Sequence, residues 1–290
     1  MLVLAAILAG LLAPAWAAEI AVVKGTDVDV RPIVEALRRS LAGHTISEYT
    51  VGDAASGLAA QLDAQGAIVV LLGPRAAELG GTLKARGKLA FALMPRLAGL
   101  EGLPGVLAGV PPRSQLALFR MVDPRLARIG VLHGPDLPPE LLDELQKAAP
   151  GLRLVSVVHK VANEKEVPEA LRSLLHGPEA VDALWIPPDP LLLGDLTRRF
   201  VLSECLKARK PVFSFAESLV QEGALASAGP DLASVGERLA DIVRRLDAGE
   251  SAARIGVLVP KGELVVNRKV AGSLQIQVPA EALAIARTVN

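Results

Sequence analysis

A chain of 290 residues, with 31 Lys+Arg against 31 Asp+Glu, 51% hydrophobic side chains and one cysteine, has a globular composition. At roughly 100–150 residues per domain it is long enough for two cores. A formal net charge of zero supplies no footprint for nucleic-acid phosphates or anionic lipid, so no nucleic acid is expected as a partner. A lone cysteine closes no internal disulfide, and without CxxC or clustered His/Cys spacing neither a metal nor a cofactor is expected.

Residues 1–17 carry no charge. They hold an apolar run over 2–12, then Pro14 and the small-x-small triplet Ala15-Trp16-Ala17. This reads as a secretory signal peptide cleaved near Ala17, which places the mature protein outside the cytoplasmic membrane, in the periplasm. A retained apolar anchor is the alternative, although the run is shorter than the ~20 residues a spanning helix needs. No cysteine follows the cleavage site to carry a lipid.

From residue 18 the chain alternates short apolar or β-branched runs with longer segments of helical period. Strands are expected at 20–24, 45–50, 67–72, 89–94 and 105–109, then at 128–133, 153–158, 183–187, 211–215 and 224–228. Helices are expected between them at 31–41, 54–65, 74–85, 113–122, 140–149, 164–175, 193–208 and 232–248. Asp53 and Asp231 are placed as N-caps, and Pro74, Pro139 and Pro168 fall in first turns, where a missing amide proton costs nothing. Runs such as Ile68-Val69-Val70-Leu71-Leu72 suit parallel strands covered on both faces. The break at Gly109-Val110-Pro111-Pro112 precedes a second βαβα series, so two doubly wound α/β lobes are expected. Residues 255–290 read as a less regular tail folded back on one lobe, with a short helix after Pro279.

In an open parallel sheet, strand carboxyl ends and helix amino ends share one edge, and ligands bind there. The residues expected at that edge in the first lobe are Thr26 and Asp27 after the first strand, Gly73, Arg75 and Ala76 after the third, and Met94 after the fourth. In the second lobe they are His133, Asp189, Phe215 and Glu217. Arg75, or the amides beside it, suits a carboxylate; Asp189 and Glu217 suit a cationic or hydroxyl-bearing group. Each has a plainer role open to it: Asp189 as a helix cap between prolines, Arg75 as a solvated charge, Glu217 as a first-turn carboxylate, and Thr26 and Asp27 as turn formers. No GxSxG, HExxH or GxxxxGK[ST] motif occurs and no histidine has an evident nucleophile, so an enzyme is not expected. Cys205 reads as a buried small hydrophobe.

The stretches Val181-Asp182-Ala183-Leu184-Trp185-Ile186-Pro187-Pro188-Asp189-Pro190, Pro211-Val212-Phe213-Ser214-Phe215-Ala216-Glu217-Ser218 and Gly223-Ala224-Leu225-Ala226-Ser227-Ala228-Gly229-Pro230-Asp231 resemble ABC transporter substrate-binding proteins of the tryptophan/tyrosine-type branch. Gly236, Val266-Asn267-Arg268-Lys269 and Pro279-Ala280-Glu281 continue the likeness. The resemblance implies a type I periplasmic-binding-protein fold: two Rossmann-like lobes with parallel sheets, joined by a three-crossover hinge. Its lobes would comprise 18–111 with 226–251, and 112–225 with 252–290. It further implies a monomer that closes by hinge motion on a small molecule, an amino acid or related small carboxylate, in the cleft between its lobes and delivers it to an ABC permease in the membrane. A ligand sensor or accessory protein with the same cleft is the alternative; a two-lobe enzyme comes behind it. The chain departs from the family pattern at Met94-Pro95, Gly73-Pro74-Arg75 and Val106-Leu107-Ala108-Gly109, where polar residues are usual.

Overall fold

The computed structural model describes residues 19–25, 29–51, 55–94 and 99–290. The expected leader, Thr26, Asp27 and the cap Asp53 lie outside them. The chain divides into two compact units, one of residues up to Gly105 with Gly236–Val257, the other of Val106–Val235 with Leu258–Asn290.

The first series runs β1 (Ile20–Lys24), α1 (Arg31–Ser40), β2 (Ile46–Thr50), α2 (Ala55–Gln65), β3 (Ile68–Leu72), α3 (Pro74–Gly80), β4 (Leu89–Ala92) and β5 (Gly105–Val106). The second runs α4 (Pro112–Val122), β6 (Arg128–His133), α5 (Pro139–Ala148), β7 (Val155–Lys160), α6 (Val167–His176), β8 (Ala183–Ile186), α7 (Pro190–Leu193), α8 (Asp195–Lys207), β9 (Val212–Ser214), α9 (Glu217–Glu222) and β10 (Ala226–Pro230). The remainder comprises α10 (Leu232–Asp247), α11 (Ala252–Ile255), β11 (Val257–Leu258), β12 (Gly262–Asn267), α12 (Arg268–Leu274), α13 (Ala280–Ile285) and β13 (Ala286–Val289).

The sheet orders are β11-β5-β4-β3-β1-β2 and β13-β12-β10-β9-β8-β6-β7. Strands β2, β1, β3 and β4 pair in parallel, as do β7, β6, β8, β9 and β10. Each sheet therefore has the doubly wound order in which the second strand flanks the first on one side and the third on the other, so a topological switch point lies between the first and third strands of each series. Central strands β3, β4 and β8 are buried along their whole length, as their continuous apolar runs require, while the edge strand β7 leaves Val155 exposed. Helix α1 buries Ile33, Val34, Ala36 and Leu37, one stripe at helical spacing, and keeps Arg38 and Arg39 in its last turn.

Several sequence expectations are corrected. Residues 226–230 lie in the second sheet rather than the first, because β10 pairs with β9 on one side and antiparallel with β12 on the other. The chain re-enters the first unit only at Gly236, within α10, and leaves it after Val257, because β11 stands beside β5 in the first sheet. The tail expected after residue 255 folds back on one unit with more regular structure than expected, since β12 and β13 extend the second sheet and Leu264, Val266, Ala271 and Ala282 join its core. The helix expected over 74–85 stops at Gly80, where the Gly80-Gly81 pair meets Thr82, whose hydroxyl bonds back to the Leu79 carbonyl at 2.7 Å. The helix expected over 193–208 is present as α8 but starts two residues later, after Gly194, whose ψ of 135° separates it from the short α7.

Candidate functional site

At the switch point of the second sheet, β6 ends on His133 and β8 is followed by Asp189. Asp189 is fully buried. One carboxylate oxygen accepts from the amides of Leu191 and Leu192 at 2.9 and 3.2 Å, which makes it the N-cap of α7. The other accepts from the Gly134 amide at 2.8 Å, tying the loop after β6 to the loop after β8. Only glycine fits there without displacement, because a Cβ at 134 would lie 3.0 Å from the Leu191 Cβ and 3.3 Å from an Asp189 oxygen. The cap reading of Asp189 thus describes every polar contact the side chain makes. It shapes the crevice through backbone amides and presents no free oxygen to it.

His133 is buried beside this staple, with Nδ1 2.8 Å from the Gly134 carbonyl oxygen. A carbonyl only accepts, so Nδ1 is the donor in this contact. Next along the edge, β9 ends on Ser214, whose hydroxyl donates to the Ala216 carbonyl at 2.8 Å. Phe215 is half-buried against the core of the second unit. Neighbouring β10 sets Ser227 opposite Ser214, and the Ser227 hydroxyl is buried without a partner among the described residues.

Glu217 opens α9 and is engaged as an ion pair by Arg287 of β13, whose Nη1 donates to one oxygen at 2.9 Å while Nη2 reaches the other. Arg287 also donates through Nε to Glu263 at 3.1 Å, and Gln221 donates to Glu217 at 3.1 Å. The Arg287 guanidinium holds the Glu217 carboxyl below its ordinary value of 4.5, and the two carboxylates push Arg287 upward. A carboxylate depressed in the folded state stabilises fully above its unfolded value and loses that contribution as pH falls through the folded one. The two side chains are 44% and 35% exposed, so solvent screens the pair and its worth is about 0.2–1 kcal/mol. Arg287→Ala should therefore lower the denaturation midpoint at pH 7 and converge on wild type as acid protonates Glu217, below the ordinary carboxyl value of 4.5. An equal deficit at pH 7 and in acid would contradict the assignment.

In the first unit, Gly73 follows β3 with φ +86°, a backbone region that favours glycine, and its amide bonds to the Ala92 carbonyl at 3.1 Å. That turn starts α3, burying Ala76 and leaving Arg75 exposed. Among the described residues Arg75 makes no ion pair. Met94 is buried, and Leu93 before it holds φ +60°, rare outside glycine. The structure thus brings His133, Asp189, Phe215 and Glu217 to one edge of the second sheet, and Gly73, Arg75, Ala76 and Met94 to the corresponding edge of the first. Sequence reasoning misses Arg287, Ser214 and Ser227, because their roles arise from strand register and from a partner 70 positions away. Cys205 is buried as expected, and burial pushes its thiol up to about 12. Among the described residues no cluster of three His, Cys, Asp or Glu gathers to hold a metal, and no helix is long and apolar enough to cross a membrane.

Residues 102–290, well over half of the chain, match the family described as ABC transporter substrate binding protein. The chain belongs to that family. Its members bind substrates rather than transform them, and the family is typically extracytoplasmic, working with an ABC permease. Among solved structures, the chain is similar to an ABC domain from Streptococcus pneumoniae in complex with L-Trp, at 22% identity and TM-score 0.62, covering 94% of this chain and 100% of that one. It is also similar to the ligand-free, open structure of a substrate binding protein with adhesive properties from Clostridium difficile, at 15% identity and TM-score 0.78, covering 94% and 99%. A LacI family transcriptional regulator from Bifidobacterium animalis subsp. lactis matches at 16% identity and TM-score 0.53, covering 85% and 95%. At these identities the likenesses show the fold, a type I periplasmic-binding-protein fold of two α/β units. No curated protein sequence matches the chain.

Proposed function

We propose that this chain is the exported solute-binding component of an ABC importer, carrying an amino acid or a related small carboxylate to its permease. The observation that carries the reading is the family match over residues 102–290, together with two doubly wound sheets whose carboxyl edges present the candidate residues. In this reading the two lobes close about the ligand, and contacts made only in the closed form shift an equilibrium of a few kcal/mol. Arg75 supplies the cation for the ligand carboxylate. His133 and Phe215 contribute the second lobe's polar and apolar contacts, with Glu217 held by Arg287 until a ligand ammonium competes for it. Asp189 positions this edge from behind. The leader at 1–17 directs export and is removed near Ala17, which intact-mass measurement of the secreted product checks.

The test is a thermal-shift screen of the purified protein against amino acids, small carboxylates and nucleosides. At a concentration 100 times Kd, binding adds about 2.7 kcal/mol, which raises Tm by roughly 5–10 °C for a chain of this size. If no compound class moves the melting curve, the carrier reading fails and the sensor or accessory role takes its place. For a carboxylate ligand so found, Arg75→Ala should weaken binding about 10- to 100-fold by calorimetry, the worth of one charge-assisted hydrogen bond, with Tm of the free protein unchanged. Unchanged affinity would remove Arg75 from the site.

A further inference from the structure

Helix α8 has two unlike faces. Val201, Leu202 and Cys205 enter the core of their unit. On the opposite side Leu196 is 82% exposed and Phe200 37%, with Leu206 exposed on the flank. No other helix among the described residues exposes more than one large apolar side chain. Leu196, Phe200, Ser203 and Lys207 are spaced by four, three and four residues, which is the d-a-d-a seam of a heptad. Arg199 and Glu204 then fall at the g and e positions beside that seam, five residues apart. This is the offset at which g of one helix meets e of its neighbour in a parallel pair. Nearby charges are engaged within the chain, Arg198 by Asp195 and Glu222 and Lys207 by Glu204, whereas Arg199 makes no ion pair among the described residues. Beside the seam a groove of about 380 Å³ opens between α6 and α8, lined by Leu171, Leu175, Phe200 and Glu204 among others.

We propose that α8 is a self-association surface, on which a second copy of this chain lays its own α8 in parallel about a two-fold axis along the seam. Both charges needed at the flanks stand on this one helix at the required offset, so the surface is complementary to itself; a foreign helix would call for no such internal match. In the pair, Leu196 and Phe200 meet their counterparts across the axis, and Arg199 of each copy reaches Glu204 of the other at the mouth of the groove. Lys207 places like charges across the axis and ends the seam, which keeps the contact short and the dimer weak. The monomer expected from the sequence then describes the dilute protein.

Sedimentation equilibrium from micromolar to millimolar concentration tests this. Wild type should pass from monomer to dimer across that range, and Phe200→Asp should remain monomeric throughout. Arg199→Glu alone should raise the dimer Kd about tenfold, and the double exchange Arg199→Glu with Glu204→Arg should return it to within about threefold of wild type. Melting curves establish that each variant is folded; if Phe200→Asp is not, the charge exchange decides alone. A wild type still monomeric at millimolar concentration, or a double exchange that fails to restore association, overturns the proposal and leaves the seam to a helix of another chain.

Discussion

Asp189→Ala should lower the unfolding free energy by about 1.5–5 kcal/mol and Tm by roughly 5–15 °C, measured by urea denaturation and calorimetry of the ligand-free protein. The side chain is fully buried and accepts three backbone hydrogen bonds, from Gly134, Leu191 and Leu192. Removing it abolishes an N-cap, worth about 0.5–2 kcal/mol, and also leaves the Gly134 amide buried without an acceptor at about 1–3 kcal/mol. Asp189→Asn separates these contributions. Its carbonyl oxygen can still cap α7, but its amide meets the Gly134 N–H donor to donor, so about half of the loss should remain. Were Asp189 instead a ligand contact with little structural duty, the alanine variant would melt with wild type and lose only affinity. A Tm within 2 °C of wild type would refute the cap-and-staple role.

The same residue marks how far the sequence can be read. Its place after a buried strand, between Pro187 and Pro190, is legible because a continuous apolar run followed by helix-starting chemistry fixes the strand's carboxyl end. Its partner is not legible, because Gly134 is 55 residues away and only the pairing of β6 with β8 brings it near. Strands β1 and β6 stand at their expected bounds, since apolar runs inside a parallel sheet end where burial ends. Helix ends fail where glycine decides: Gly80-Gly81 ends α3 although the pattern remains periodic beyond it, and Gly194 delays the start of α8. The return to the first unit is misplaced by ten residues because nothing local in 226–230 discloses an antiparallel neighbour from 262–267. Arg287 is hidden for the same reason, as its strand joins the sheet last and delivers the guanidinium to a helix start far upstream.

Gly236→Ala should destabilise the protein by about 1–3 kcal/mol, whereas Gly57→Ala should stabilise it by up to about 1 kcal/mol. Both glycines lie in helices, where alanine is intrinsically favoured by about 1 kcal/mol, so propensity alone predicts the same sign for both. Packing separates them. In α10 a Cβ at position 236 would overlap the Ile33 carbonyl oxygen of α1 and lie 2.7 Å from the Ala36 Cβ, and a helix backbone cannot yield as a flexible side chain does. At position 57 of α2 a Cβ meets nothing within 4 Å. The close crossing of α10 on α1 therefore holds the helix that carries the chain back into the first unit, and the glycine is the condition for that approach. Shifts of opposite sign in the urea midpoints of the two variants are expected. A Gly236→Ala variant as stable as wild type would mean that α1 and α10 can separate at little cost, and this crossing would then not fix the position of α10.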